Sequence, residues 1–461
     1  MLKVTELQYV ADSAARLEAL SDRPGCAFLD SGTASDRSGN ARYDILSADP
    51  YLTLTTRGAV TTIRSRRTET QSLDDPLSLL RQQLGERQDA PPDLPFCGGA
   101  LGYFGYDLGR RFEELPSGAE ADIDMPELAV GLYDWAVVVD HFERRAWLVG
   151  QGRDERTFAE WDGLVDSLEQ PRPRPGTPFE VLSPVVSNFD RQTYERAFGR
   201  IKAHIRSGDC YQVNLTQRFE AKARGNAWQA YLKLRRINPA PFSAYLDHPD
   251  GRILCSSPER FLKLRGDRVE TKPIKGTRPR SVHGARDRAF AAELRNSDKD
   301  RAENVMIVDL LRNDLGRSCV PGSIRATRLF DVESFASVHH LVSTVTGRLA
   351  EDRHAVDLLR GCFPGGSITG APKVRAMQII DSVEPHRRSI YCGAIGYIGF
   401  DGNMDTNIAI RSLVQHRDSI YAWAGGGIVA DSEPEAEFQE SLDKAAALLA
   451  VLDRPGSRRA G

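Results

Sequence analysis

The sequence predicts an α+β fold in which antiparallel strands and long helices are layered, with no regular βαβ repeat. Three stretches carry that expectation. From Tyr391 to Val429, the runs CGAIGYIGF, DGN, TNIAIRSLV and IYAWAGGGIV read as a β-meander. Asp401-Gly402 suits its hairpin turn, because both residues tolerate positive φ. Helical periodicity flanks that block at 300–315 and 434–452. In the first third, short β-like runs such as YLTLTT and WAVVVDHF alternate with glycine-rich turns. Runs of strands bounded by long helices mark layered α+β chains.

The strongest punctuation is EQPRPRPGTPFEVLSP, near residues 169–184. Proline at that density opposes helix and sheet interiors alike and reads as an extended linker. It divides the chain into an N-terminal segment, 1–168, a linker, 169–186, and a second segment, 187–455. The second opens with a helical pattern, TYERAFGRIKAHIRSG, that stops at Gly208.

Composition narrows the function. Of 461 residues, 61 are basic and 64 acidic, for a net charge of −3. With no basic excess, a small-molecule site is favoured over nucleic acid or an anionic membrane. No apolar run approaches a membrane span, and MLKVTELQYV is charged, with no signal-peptide core. The seven cysteines are odd in number, scattered, and form no CxxC pair. Disulfides and structural zinc are not expected, and a reduced cytoplasm is the expected compartment.

Two glycine-rich segments raise nucleotide binding and fail it. GGALGYFGYDLG lacks the lysine and hydroxyl residue of a phosphate loop. Gly365 to Gly370 has the right spacing, but Ala371-Pro372 follows, and proline removes an N–H that a phosphate would use.

The charged motifs are more telling. Asp300 and Glu303 are three apart on one predicted helix, and Glu437 and Glu440 repeat that spacing on another, with Lys444 one turn on. Like charges so placed want a cation, and few-carboxylate sites suit Mg2+; otherwise they are solvated helix faces. Lys275 sits in TKPIKGTRPR, a loop pinned by prolines, where Gly276 would let a ligand approach the backbone. Desolvated there, its pKa would fall from ~10.4 towards neutrality, as a nucleophilic amine requires; the alternative is a surface-loop lysine. Arg411 follows the strand NIAI, and Gly425, Gly426 and Gly427 end the next one. A guanidinium fork with backbone N–H groups can receive a carboxylate; the alternative is a locally paired arginine and a glycine turn. His340 in SVHHLVS reads as an acid/base or as a polar group at a strand edge.

Taken together, these strings resemble the chorismate-utilising enzymes: the anthranilate, aminodeoxychorismate, isochorismate and salicylate synthases. The resemblance runs from about Ser187 onward through GDCYQVNLTQRF, SSPERF, PIKGTRPR, DRAENVMIVDLLRNDLGR, VHHLVSTV, FPGGSITGAPKVRAMQIID, GYIGFDGNMDTNIAIRSLV, GGGIVADS and EFQESLDKA, in the family order. Within the family the chain is most similar to the aminodeoxychorismate synthase subfamily. Lys275 stands where anthranilate synthases usually carry alanine. FPGGSITGAPKVRAMQIID and the N-terminal strings FLDSG, ARYDILSADP and GGALGYFGYDLGRRFE agree.

The resemblance implies a chorismate-binding fold: two large, twisted, mainly antiparallel sheets with helices outside and the site between them. The N-terminal segment would belong to the same body. It implies a transferase of the transaminase class that aminates chorismate to 4-amino-4-deoxychorismate, for 4-aminobenzoate and folate. Mg2+ would join the ring carboxylate to Glu303 and Glu440, with Asp300 and Glu437 as water-mediated or additional ligands. Lys275 would be the nucleophile. Glu259 would be the general acid, its pKa raised by an acidic, shielded site. Arg411 and Tyr391 would hold the enolpyruvyl carboxylate with the N–H groups of Gly425, Gly426 and Gly427. Thr277, Thr369 and His340 would complete the substrate contacts, and Lys444 would orient the metal ligands.

By the same resemblance, Ser31, Arg42, Tyr43, Pro241, Phe242 and Ser243 match an L-tryptophan pocket. The chain shows no GxCxG glutaminase nucleophile, so a separate glutamine amidotransferase subunit is the expected ammonia source. The alternatives are anthranilate synthase component I, against which Lys275 speaks, and an inactive chorismate-binding regulatory subunit, against which the full set of acids speaks.

Overall fold

The run WAVVVDHF shows how the layers are made. Residues 135–140 form a strand with both faces buried. Ala136 and Val138 pack with Leu101, Tyr103 and Leu132 of a second sheet. Trp135, Val137 and Val139 pack the opposite way, with Leu17 and Leu20 near one helix and Trp161, Leu164 and Leu168 of another. A strand covered on both faces reads as a continuous apolar run because neither side meets water. The computed structural model describes residues 2–32, 40–171, 177–335 and 338–453.

Two large sheets of thirteen and twelve strands face each other. In the first, Ala27–Asp30 pairs with Phe242–His248, and Ser419–Ile428 with Gln212–Arg224, both antiparallel. In the second, Gly99–Phe104 pairs antiparallel with Ala394–Gly399. Both sheets thus mix strands from before and after the proline-rich stretch. Residues 172–176 of that stretch, and 454–455 at the end of the expected second segment, lie outside the described residues. Just past the prolines, Glu180–Val181 joins the edge of the first sheet.

The expected helices form, as Arg191–Arg206, Asp298–Gly316 and Pro434–Leu452. Gly208 follows the first at φ +80°. The meander is a different matter. Ala394–Gly399 and Met404–Ile408 pair around Asp401-Gly402 in the second sheet, but Ser412–His416 and Ser419–Ile428 belong to the first. The chain changes sheets at 409–411, where Arg411 takes φ +53°. A period-2 pattern is the same in either sheet, so sequence did not reveal the crossing. A second crossing lies at 258–259, between Gly251–Ser257 and Arg260–Arg265.

All seven cysteines are buried and free. Among the described residues no helix is long and apolar enough to cross a membrane.

Candidate active site

The two crossings meet at a cavity of about 490 Å3, which Glu259 and Arg411 both line. Glu259 is 5% exposed. Ser367 Oγ donates to its Oε1 at 2.7 Å. Burial pushes the Glu259 carboxyl up to about 7, against the opposing pull of Ser367, Lys275 and Lys444. Of the acidic, shielded surroundings expected to raise it, the shielding is what does so, since the charges acting on it, Lys275 and Lys444, are cationic. Arg411 loses solvent as well, and burial draws its pKa below the usual arginine range. One of its Nη groups donates to the Lys444 carbonyl, which fixes its stem.

Lys275 lies on an edge strand, Ile274–Pro279, and not in a loop. The strand pairs with Val338–Arg348, with a bulge between Lys275 and Thr277. The bulge falls at Gly276, at φ +77°. A Cβ there would stand 2.8 Å from Asp300 Cγ and from Leu294 Cδ1. Asp300 and Leu294 therefore take up the space a side chain would need, while Gly276 itself lines the cavity. Burial lowers the Lys275 pKa below the lysine norm, with Lys444 adding to it and Glu303, Glu259 and Glu440 opposing. The amine is thus closer to its neutral, nucleophilic form than a surface lysine.

The two acid pairs face the same cavity from two helices. Ser297 caps the first helix by accepting the Asp300 N–H at 3.2 Å. Asp300 and Glu437 both fall in first helical turns, where the helix dipole favours anions. Burial raises Glu303 and Glu437 above the carboxylate norm. At Glu440 burial pushes up, but Lys444 at 2.6 Å wins and holds it low. Lys444 Nζ also donates to the Gly425 carbonyl at 3.1 Å. Asp300 pairs with Arg278 at 3.3 Å. Among the described residues no group of three His, Cys, Asp or Glu side chains converges as a ready-made metal cage. Mg2+ needs less, since it keeps waters and shares anionic substrate oxygens. Four carboxylates around one cavity fit such an ion.

The remaining expected residues sort themselves. Thr277, His340, Tyr391, Gly425, Gly426 and Gly427 line the cavity. Thr277 Oγ1 and His340 Nδ1 are 2.9 Å apart across the strand pair. Burial, with Arg411 adding to it, pushes His340 down to about 4. Neutral at pH 7, it suits the polar-contact reading better than acid/base work. The three glycines are in the strand Ser419–Ile428 and not in a turn. A Cβ at Gly426 would stand 3.0 Å from Glu437 Oε2, so glycine lets the acidic helix close on the sheet. Thr369 does not line the cavity: fully buried, its hydroxyl donates to the Gly365 carbonyl at 3.0 Å. Its neighbours Ser367 and Ile368 line the cavity in its place.

Three of the lining residues left unmarked in the sequence bear on this geometry. Ser367 is one. Asn214, whose Nδ2 donates to the Ile368 carbonyl at 3.1 Å, is the second. Trp423 is the third, stacked on Tyr391 with ring centroids 6.0 Å apart and planes within 9°.

Residues 26–450 match the model of the chorismate binding enzymes. The chain is 53% identical to aminodeoxychorismate synthase component 1 of Salmonella typhimurium over 415 residues, 89% of this chain and 90% of that one. The chain belongs to the chorismate-binding enzyme family. It is also 50% identical to aminodeoxychorismate synthase component 1 of Escherichia coli, over 94% of this chain and 95% of that one. Among solved structures, anthranilate synthase component I of Streptococcus pneumoniae superposes with a TM-score of 0.80 at 31% identity, covering 89% of this chain and 92% of that one. The expected chorismate-binding fold, two large antiparallel sheets with helices, is the fold found.

This member of the family has a second cavity, of about 340 Å3, also between the sheets. Arg42, Tyr43, Pro241, Phe242 and Ser243 line it, as expected. Ser31 does not: its N–H and hydroxyl both donate to Asp44 Oδ1, at 2.8 and 2.7 Å. The neighbouring Asp30 lines it, along with Arg260, Lys263 and Asp405.

Proposed function

We propose that this chorismate-binding enzyme is the aminating component of aminodeoxychorismate synthase. It would convert chorismate and ammonia to 4-amino-4-deoxychorismate through a lysine-bound intermediate. One observation carries the reading: an amine of lowered pKa, Lys275, and a carboxyl poised near neutrality, Glu259, line one cavity with Arg411. Identities of 53% and 50% to two components of that name support the choice of reaction.

Glu259, protonated near pH 7, gives its proton to the departing ring hydroxyl, which leaves as water. Lys275 Nζ bonds to the ring carbon beside the one bearing the carboxylate, both ring double bonds shift by one position, and the bond to the para hydroxyl breaks. Ammonia then bonds at the para carbon, the bond to Lys275 breaks, and the Glu259 carboxylate takes a proton from the incoming nitrogen. Two displacements divide one hard substitution. Arg411, beside stacked Tyr391 and Trp423, binds the enolpyruvyl carboxylate. Thr277 and His340 contact the ring. Glu303 and Glu440, with Asp300 and Glu437, would hold Mg2+, which when bound offsets the carboxylates and polarises the ring carboxylate. Ammonia would come from a glutamine amidotransferase partner, and the second cavity would hold L-tryptophan.

The test is turnover by the pure chain with chorismate, Mg2+ and ammonium at alkaline pH. Aminodeoxychorismate is expected, with no product from glutamine alone until an amidotransferase is added. Anthranilate as the main product would move the chain to the other branch of its family.

A further inference from the structure

Three ammonium groups line the acidic cavity, and two have fixed posts. Lys275 is half-buried on the edge strand, and Lys444 is bonded to Glu440 and to the Gly425 carbonyl. Lys299 is different. It sits in the first turn of the helix Asp298–Gly316, where a positive charge opposes the helix dipole. Its Nζ stands 4.0 Å from Glu303 Oε1, and its side chain is 57% exposed. It lines the cavity opposite Glu437 and Glu440, and its charge acts on both. Its partner anion is Glu303 on its own helix, and Glu437 and Glu440 line the same cavity from the other helix.

We propose that Lys299, paired with Glu303 and set in the same cavity wall as Glu437 and Glu440, is the protein's own counter-ion for these carboxylates, and that a divalent cation enters by displacing it. The inference rests on the reading of Glu303 and Glu440 as the metal seat. It predicts that the chain's affinity for the ion is held down by its own lysine. A mobile ammonium on a long stem is suited to that exchange, since leaving costs little structure.

Titration of the full chain with Mg2+ and with Mn2+, in the absence of chorismate, tests it by calorimetry. Lys299→Gln should bind either ion about threefold to tenfold more tightly than wild type. Lys299→Arg should behave like wild type, and Arg312→Gln, at the far end of the same helix, should change nothing. Unchanged or weaker binding by Lys299→Gln, with wild type binding normally, would overturn the inference alone. If neither protein bound either ion at millimolar concentration, with or without chorismate, the metal seat itself would fall and the inference with it.

Discussion

The cavity of Glu259 and the cavity of Arg260 hold comparable chemistry in opposite states. In the second, charges are paired. Arg260 is clasped by Asp405 at 3.1 Å and Glu270 at 3.1 Å. Arg42 meets Asp140 at 2.7 Å, and Asp30 accepts from Arg235 at 2.6 Å and Tyr231 at 2.7 Å. Burial lowers Arg260, but its two acids outweigh it and raise its pKa. In the first cavity burial wins at Lys275 and Arg411, which are pulled down, and at Glu259 and Glu303, which are pushed up, although Lys444 outweighs it at Glu440. Groups left in their less stable protonation state are reactive, and keeping them so costs stability. Paired groups hold the fold and present a binding surface. Lys263 and Asp30 are exceptions in the second cavity, the first lowered and the second raised chiefly by burial, and Lys263 offers a cation to a ligand carboxylate.

The comparison predicts that changes in the first cavity abolish turnover and spare the fold, and that the second cavity does the reverse. The largest effect belongs to Glu259→Gln, which removes the transferable proton and should lower kcat by about 10²- to 10⁴-fold. Its stability should show the matching signature. The folded carboxyl titrates near 7 against 4.5 for an ordinary glutamate, so the folded state binds more protons in that window. Wild-type stability should therefore fall as pH rises through it, by on the order of 3 kcal/mol, and the Gln variant should lose that slope. Chemical denaturation at pH 5 and pH 8.5 measures it. Equal slopes would mean that Glu259 is not held neutral.

How much of this was readable follows from what sequence encodes. The charged residues could be singled out, because paired acids three apart, a lysine between prolines and an arginine at a strand end are local patterns, but their roles, and Glu259 itself, came from the family resemblance. Their neighbours could not be singled out. Gly276 makes room for Asp300, twenty-four positions on, and no local rule links them. Ser367 and Thr369 are alternate positions in one string, and only the fold shows which hydroxyl reaches Glu259 and which is spent on a carbonyl. Asn214 gave no signal of its own, since polar Gln212 and Thr216 take the same alternate positions along one strand. Trp423 read as core, and only its stacking on Tyr391 marks it as cavity wall. Ser31 and Asp30 differ by one position in a strand end, which is enough to turn a side chain out of the cavity.

A middle-sized effect should separate the cavities by fold stability. Arg260→Ala leaves Asp405 and Glu270 unpaired and should cost about 3–5 kcal/mol in unfolding free energy. Turnover per folded molecule should stay within a few fold of wild type. A change in kcat as large as that of Glu259→Gln would erase the distinction between the cavities. The smallest effect should come from Lys263→Ala: tryptophan binding, read by calorimetry, weakens about tenfold while turnover without tryptophan is unchanged. Unaltered binding would remove Lys263 from that site.

The account turns on Lys275 as a nucleophile, and a covalent adduct reports that directly. The pure chain is mixed with chorismate and Mg2+ but no ammonia, so the second displacement lacks its partner. Intact-mass spectrometry should show a gain equal to chorismate minus water, mapped by digestion to the peptide around Lys275. Lys275→Ala should show none, and Lys275→Arg should also fail, because a guanidinium stays protonated. No adduct on wild type, together with wild-type turnover by Lys275→Ala, would contradict the lysine-bound mechanism.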